Sequence, residues 1–105
     1  MSYKWPEKDP DETSDFSVDW SRFLGDDSIV STVFFVDDAN GTKTQVSTAQ
    51  FVNGIQFIQS TVSGNVATAR FAQGTNNLRY NVTCRVNTTQ GLTFERSVIL
   101  PVRER

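Results

Sequence analysis

Between residues 78 and 102 the sequence keeps a period of two, and everything else in the chain must accommodate it. Leu78, Tyr80, Val82, Cys84 and Val86 alternate with Asn77, Arg79, Asn81, Thr83, Arg85 and Asn87, and Leu92, Phe94, Val98, Leu100 and Val102 continue the pattern. Successive side chains of a strand point to opposite faces, so the pattern predicts two strands joined by a turn. One face is apolar and needs a second layer, while the other carries Arg, Asn and Thr into water. The residues upstream have to supply that layer.

At 105 residues, 37% hydrophobic and 11% aromatic, the chain has material for one core but not for two. Eight Phe and two Trp make that core aromatic-rich. A formal charge of −2 with no Lys/Arg run lacks the basic footprint of a nucleic-acid binder, so no nucleic-acid partner is expected. Charge is nonetheless uneven: residues 1–27 hold eight carboxylates against three cations, and the remainder four against seven. That asymmetry suits an acidic arm meeting the basic face of a neighbouring copy, and equally suits ordinary surface scatter. Cys84 is the lone cysteine, which excludes an internal disulfide, and the alternation turns it inward as a small apolar residue. No apolar h-region follows Met1, and no run approaches the roughly 20 apolar residues of a membrane span. The expectation is a chain made and kept, at least at first, in a cytoplasm.

Residues 1–14 are polar, contain Pro6 and Pro10 and follow neither period, which predicts an extended arm; residues 15–105 form the domain proper. Trp5 in such an arm needs a surface to cover, its own domain or a partner's. Phe16, Val18 and Trp20 alternate with Asp15, Ser17 and Asp19 as the first strand. Residues 22–28, with Gly25, Asp26 and Asp27, form a connection with room for one helical turn. Residues 29–36 are apolar on both faces, as in a central strand covered on each side, the second cover coming from the domain or from a neighbour. Asn40-Gly41 marks a tight turn, and residues 43–47 a short polar edge strand. Asn53-Gly54 fits a bulge or a second tight turn, and a bulge or loop before a strand over residues 55–61 is the preferred reading. Residues 62–65 then turn the chain into residues 66–72, with Ala67, Ala69 and Phe71 facing in and Thr68 and Arg70 facing out. Turn signals at intervals of roughly 8–12 residues between about seven short strands predict an all-β fold, an immunoglobulin-like β-sandwich with an extended N-terminal arm.

Chemistry is hard to build from this sequence. It contains no histidine, the commonest general base and metal ligand. Its Ser and Thr residues lack a histidine base, Cys84 is expected to be buried, and no glycine-rich phosphate loop follows a strand. The Asp26-Asp27 and Asp37-Asp38 pairs and the acidic run of residues 8–12 do not match the spaced carboxylates of a calcium loop and read as turn formers. No catalytic residue, metal site or cofactor is expected. Asn40-Gly-Thr, Asn81-Val-Thr and Asn87-Thr-Thr fit a glycosylation pattern but follow no secretory signal.

The segment Trp5-Pro6-Glu7-Lys8-Asp9-Pro10-Asp11-Glu12, the strand from Asp15-Phe16 to Asp19-Trp20 and the turn Leu24-Gly25-Asp26-Asp27-Ser28-Ile29 resemble the opening of a family of small accessory proteins of tailed bacteriophage virions. The similarity runs on through residues 76–86 and 91–98 to the tail Val102-Arg103-Glu104-Arg105, nearly the whole chain. The resemblance implies an immunoglobulin-like fold and a structural place in the particle, with no catalytic residues. Relatives are described as adaptors between tail and fibre, or as virion proteins of unassigned position.

The sequence is therefore expected to be a virion structural protein, an adaptor in the tail or neck that joins tail to fibre. Its expected partners are other phage structural proteins and copies of itself. The candidate partner-binding residues are Trp5, Pro6, Lys8, Asp9, Pro10 and Asp11 of the arm, docked on a neighbour, and Arg79 and Arg85 on the polar face of the late hairpin, as a landing surface. Two rivals stand beside this: a capsid decoration protein seated on the major capsid protein, and a carbohydrate-binding module for host attachment, using Trp5 or Tyr3 to stack on sugar rings.

Overall fold

The computed structural model describes residues 3–104, except for the side chain of Tyr3; Met1, Ser2 and Arg105 of the basic tail lie outside the described residues. Among the described residues, nine strands and one helical turn follow in order. They are β1 (Tyr3–Lys4), β2 (Ser14–Asp19), α1 (Ser21–Leu24), β3 (Ile29–Asp37), β4 (Lys43–Gln45), β5 (Gln50–Val52), β6 (Ile55–Ser63), β7 (Val66–Gln73), β8 (Arg79–Thr88) and β9 (Thr93–Pro101). Two sheets face each other, β1-β9-β8-β3-β4 and β2-β7-β6-β5, and every pairing is antiparallel except β1 with β9. This is the expected sandwich, with nine strands in place of about seven.

The two added strands are short edges that alternation does not reveal. β1 is two residues long and is cut off by Pro6, so its extended shape comes from the edge of β9, with Tyr3 beside Val98 and Lys4 beside Ile99. β5 pairs with β6 through a turn at Asn53-Gly54, which joins Val52 directly to Ile55. That corrects the bulge reading. Asn53 at φ 49° and Gly54 at φ 89° supply the two left-handed residues of a tight hairpin turn. A side chain at residue 54 would also strike the Thr75 hydroxyl. Val62 and Ser63 belong to β6, so Gly64-Asn65 alone makes the next turn. The irregularities sit elsewhere, between Ile29 and Ser31 of β3 and between Phe57 and Gln59 of β6.

Inward side chains of both sheets form one core. Tyr80, Val82, Cys84 and Val86 of β8 and Val98 and Leu100 of β9 are buried as their alternation requires, opposite Ala67, Ala69 and Phe71 of β7. The three small or flat residues of β7 leave room for a line of rings across the sandwich. Trp5 and Phe16 lie 5.2 Å apart between centroids, Phe16 and Phe71 6.4 Å, Phe71 and Phe57 5.7 Å, and Phe57 and Phe34 6.0 Å. Tilted and edge-on rings at these separations add to area burial, which is worth about 1.5–3 kcal/mol for each large side chain.

Arg96 occupies an inward position of β9 and is the exception to its pattern. Its guanidinium lies over the Trp20 ring at 4.7 Å and donates to the Asp19 carbonyl at 3.4 Å, so a cation closes the core where the sheets part.

Candidate functional site

The residues singled out as partner-binding divide into those the fold uses internally and those it presents. Trp5 belongs to the first group. It is 8% exposed and packs on Phe16 and Phe71, and its Nε1 donates to the Ser17 carbonyl at 2.9 Å. Of the two surfaces open to Trp5, the structure has it on its own domain. The cause is the free edge of β9, which takes up the arm: Trp5 N–H donates to Ile99 at 2.9 Å and Lys8 N–H to Pro101 at 3.0 Å.

Lys8 is also inward. Its ammonium donates to the main-chain carbonyls of Gln73 at 2.6 Å and Asp9 at 2.9 Å, and the residue is buried. Desolvation lowers its pKa, against the opposing charges of Glu12, Asp9 and Asp11. Asp9 and Glu12 are committed to the turn that follows. Glu12 Oε1 accepts from Asp9 N–H and Asp9 Oδ1 from Asp11 N–H, both at 2.9 Å, and Glu12 N–H donates to the Asp9 carbonyl at 3.0 Å. The acidic run is thus a folded turn over a buried cation.

What the arm presents is Pro6, Glu7 and Asp11, all exposed, with Pro10 half-buried. Arg79 is exposed nearby, and the arm and β8 meet around a hollow of about 160 Å³ lined by Lys4, Glu7, Asn77, Arg79, Pro101 and Arg103. The structure thus brings Arg79 to the arm.

Arg85 is elsewhere. It lies over Phe35 on the outer face of the five-stranded sheet, its guanidinium carbon 4.6 Å from the ring centroid, with Lys43 Nζ at 5.5 Å. Glu95 joins the two cations, at 3.0 Å from Lys43 Nζ and 2.6 Å from Arg85 Nε. Hydrogen bonds from Lys43 and then Arg85 hold its carboxyl below the usual range. Phe35 is thereby 8% exposed, and β3 is covered on its outward side by this chain's own cations. The ion-pair geometry was not visible in the sequence because Lys43, Arg85 and Glu95 meet only after three strands are in register.

Asp27 does more than form a turn. Its Oδ1 accepts from Ser28 N–H at 2.8 Å, Thr89 Oγ1 at 2.7 Å and Gln90 N–H at 3.3 Å, while its own carbonyl accepts from Asn65 Nδ2 at 3.1 Å. Three loops at the end of the sandwich remote from the Asp9 turn are tied through this residue. Exposed Phe23 and Leu92 stand at the same end, Phe23 edge-on to Phe94 at 4.8 Å. Among the described residues no group of His, Cys, Asp and Glu is placed to hold a metal ion.

Comparison with known proteins adds three findings. A search of curated proteins gives no match. Among solved structures, the fold is similar to that described as "Solution structure of the PKD domain from KIAA 1837 protein", at a TM-score of 0.51 and 22% identity, covering 100% of this chain and 83% of the other. That likeness is one of fold. The sequence matches the family described as "Podophage GP4 fiber-tail adaptor protein gp77" over residues 8–101, from the buried lysine of the arm to the end of β9. A match of that extent takes in both sheets and their turns, and the chain belongs to the podophage fibre–tail adaptor family.

Proposed function

We propose that this protein joins tail to fibre in a podophage particle, as a structural rather than catalytic component made in the host cell and built into the virion. The observation that carries the reading is the family match over residues 8–101. The geometry supports it in two ways. Side chains that would be spent on chemistry are here spent on structure, as with Lys8, Asp27 and Cys84. Exposed Glu7 and Arg79 border one hollow beside the arm, and exposed Pro6 and Asp11, with half-buried Pro10, lie along the same arm, which offers mixed charge to another phage protein or a further copy of this one. Trp5, Lys8 and Asp9 act there by holding the surface in shape, and Arg85 sits apart from it.

Tagged protein mixed with purified tail complexes and with tailless heads tests the reading. It should be recovered with tails, and Arg79→Glu or Asp11→Lys should reduce that recovery. Recovery with heads and not with tails would turn the assignment to capsid decoration. The carbohydrate reading finds less support, because the Trp5 ring lies inside the domain.

A further inference from the structure

The two flanks of the sandwich are closed differently. On one, the Trp5 indole bridges β1 and β2. On the other, β4 and β5 are short and cover only part of their neighbours. β4 pairs with β3 over residues 35–37, and the ladder ends at a bond from Val46 N–H to the Phe34 carbonyl at 3.1 Å. Because β3 begins at Ile29, residues 29–33 have β8 on one side and no strand among the described residues on the other. β5 covers β6 only over residues 55–57, which leaves residues 58–63 open on the same flank.

In an antiparallel ladder the main-chain groups of alternate residues point the same way. The Phe34 carbonyl faces β4, so the N–H and C=O of Thr32, in unbroken register with β8, face the open edge. Between the two open stretches lies a crevice of about 340 Å³ lined by Thr32, Phe34, Val46, Phe57, Gln59 and Ser60. The Thr32 hydroxyl is buried there without a hydrogen-bond partner. A buried polar group left unpaired is costly, so its pairing by an incoming group is favourable.

Proteins blunt exposed strand edges with charge, proline or bulges. The edge strand β2 carries Asp15 and Asp19, and the part of β9 not covered by β1 carries Glu95 and Arg96. Residues 29–33 and 58–63 hold no charge and no proline, with one irregularity each, at Val30 and Ile58. Val30, 64% exposed, and Val62, 43% exposed, stand on the two lips.

We infer that an extended, uncharged segment of another virion protein adds as a strand beside β3 along residues 29–33, its main chain pairing with Thr32 and a polar group reaching the Thr32 hydroxyl. Only an extended backbone offers donors and acceptors at strand spacing, and a neutral crevice rejects a charged segment. Residues 9–15 of this chain carry four carboxylates and do not suit it, and the adaptor family to which the chain belongs favours a different protein over the uncharged open stretches of a second copy. That this protein belongs to the tail or fibre rests on the adaptor reading above.

Amide exchange tests the inference, measured on the isolated protein and on the protein bound to tails or fibres purified from particles lacking it. In the isolated protein the Thr32 amide should exchange as an open one while Val33, facing β8, is slow. In the complex Thr32 should slow by about tenfold or more. Thr32→Pro removes the edge N–H without removing a bond to β8, and Val30→Lys places a charge on the lip. Either should weaken binding by about tenfold, Val30→Lys without lowering the urea midpoint. Protection of Thr32 in the dilute isolated protein would overturn the inference. Protection that grows with its own concentration would also do so, by making a second copy the occupant. A complex that forms with Thr32 unchanged would overturn it while leaving the adaptor reading intact. Binding to neither tails nor fibres would sink that reading and this inference with it.

Discussion

The indole Nε1 of Trp5 donates to the carbonyl of Ser17 at 2.9 Å, so a residue of the arm joins β1 of one sheet to β2 of the other. Trp5 also begins the line of rings that crosses the core. Trp5→Ala should cost about 3–5 kcal/mol in urea unfolding, in the range of buried aromatic truncations. An unchanged midpoint would instead return Trp5 to the surface as an anchor for a partner.

Tyr80→Phe isolates a second tie. The Tyr80 hydroxyl donates to the Asn53 carbonyl at 2.7 Å and accepts from Thr75 N–H at 2.8 Å, fixing the β5–β6 turn against the loop before β8. Losing it leaves two main-chain groups unpaired, and a loss of about 1–3 kcal/mol is expected with the fold retained, as judged by circular dichroism.

Asp27 gives the protein an acid-sensitive end. Desolvation raises its pKa, but hydrogen bonds from Thr88, Thr89, Ser28 and Gln90 outweigh that and hold the carboxyl below its ordinary 3.8. The folded state therefore binds the proton less readily than the unfolded chain. Its contribution is present above pH 3.8 and is lost as pH falls through the lower folded value. Asp27→Asn should be less stable than the parent at neutral pH, and the gap in urea midpoint should narrow as acid is added through this window. A gap of constant size would show that the charge of Asp27 contributes nothing.

Cys84 reports on opening of the core. Burial pushes its thiol up to about 11, and the side chain is fully enclosed between the sheets. At neutral pH a thiol reagent should leave the native protein unlabelled and react promptly in denaturant. Rapid labelling of the native state would mean that the sheets part often.

The Glu95 network is a surface device, and its effect should be small. Glu95→Gln should change stability by about 0–1 kcal/mol and make what remains less sensitive to salt. The more direct readout is an aromatic side-chain signal of Phe35, which loses the clamp holding Lys43 and Arg85 over it.

The parts of the fold legible in the sequence are those where water and core meet across a single strand. β2, β7 and β8 alternate because one face of each lines the core, and their inward residues could be named one by one, although outward Thr83 of β8 is also buried, beside the Ser97 hydroxyl at 3.0 Å. β9 broke its own pattern at Arg96, and only the position of Trp20 on the facing sheet explains why. The arm was recognisable as extended from Pro6 and Pro10, but where it lies is decided by the unpaired edge of β9. Lys8 looked like an exposed charge of an acidic run. Its burial depends on the Gln73 carbonyl, 65 residues away in sequence, which no local pattern encodes. The open stretch of β3 was masked by the opposite effect: residues apolar on both faces suggested a fully flanked strand, and the shortness of β4 is what leaves one side bare.

The parallel seating of β1 against β9 has a mechanical consequence. Trp5 N–H to Ile99 at 2.9 Å, Lys8 N–H to Pro101 at 3.0 Å and Arg103 N–H to Lys8 at 2.9 Å continue the parallel pairing of β1 with β9 along the arm and past the end of β9. Tension drawn through those two strands in opposite directions falls on all these bonds together, in shear, rather than unzipping them one after another. The first and last strands thus act as a clasp that holds until several bonds fail at once, with the Trp5 ring, wedged beneath it, adding the resistance of the core.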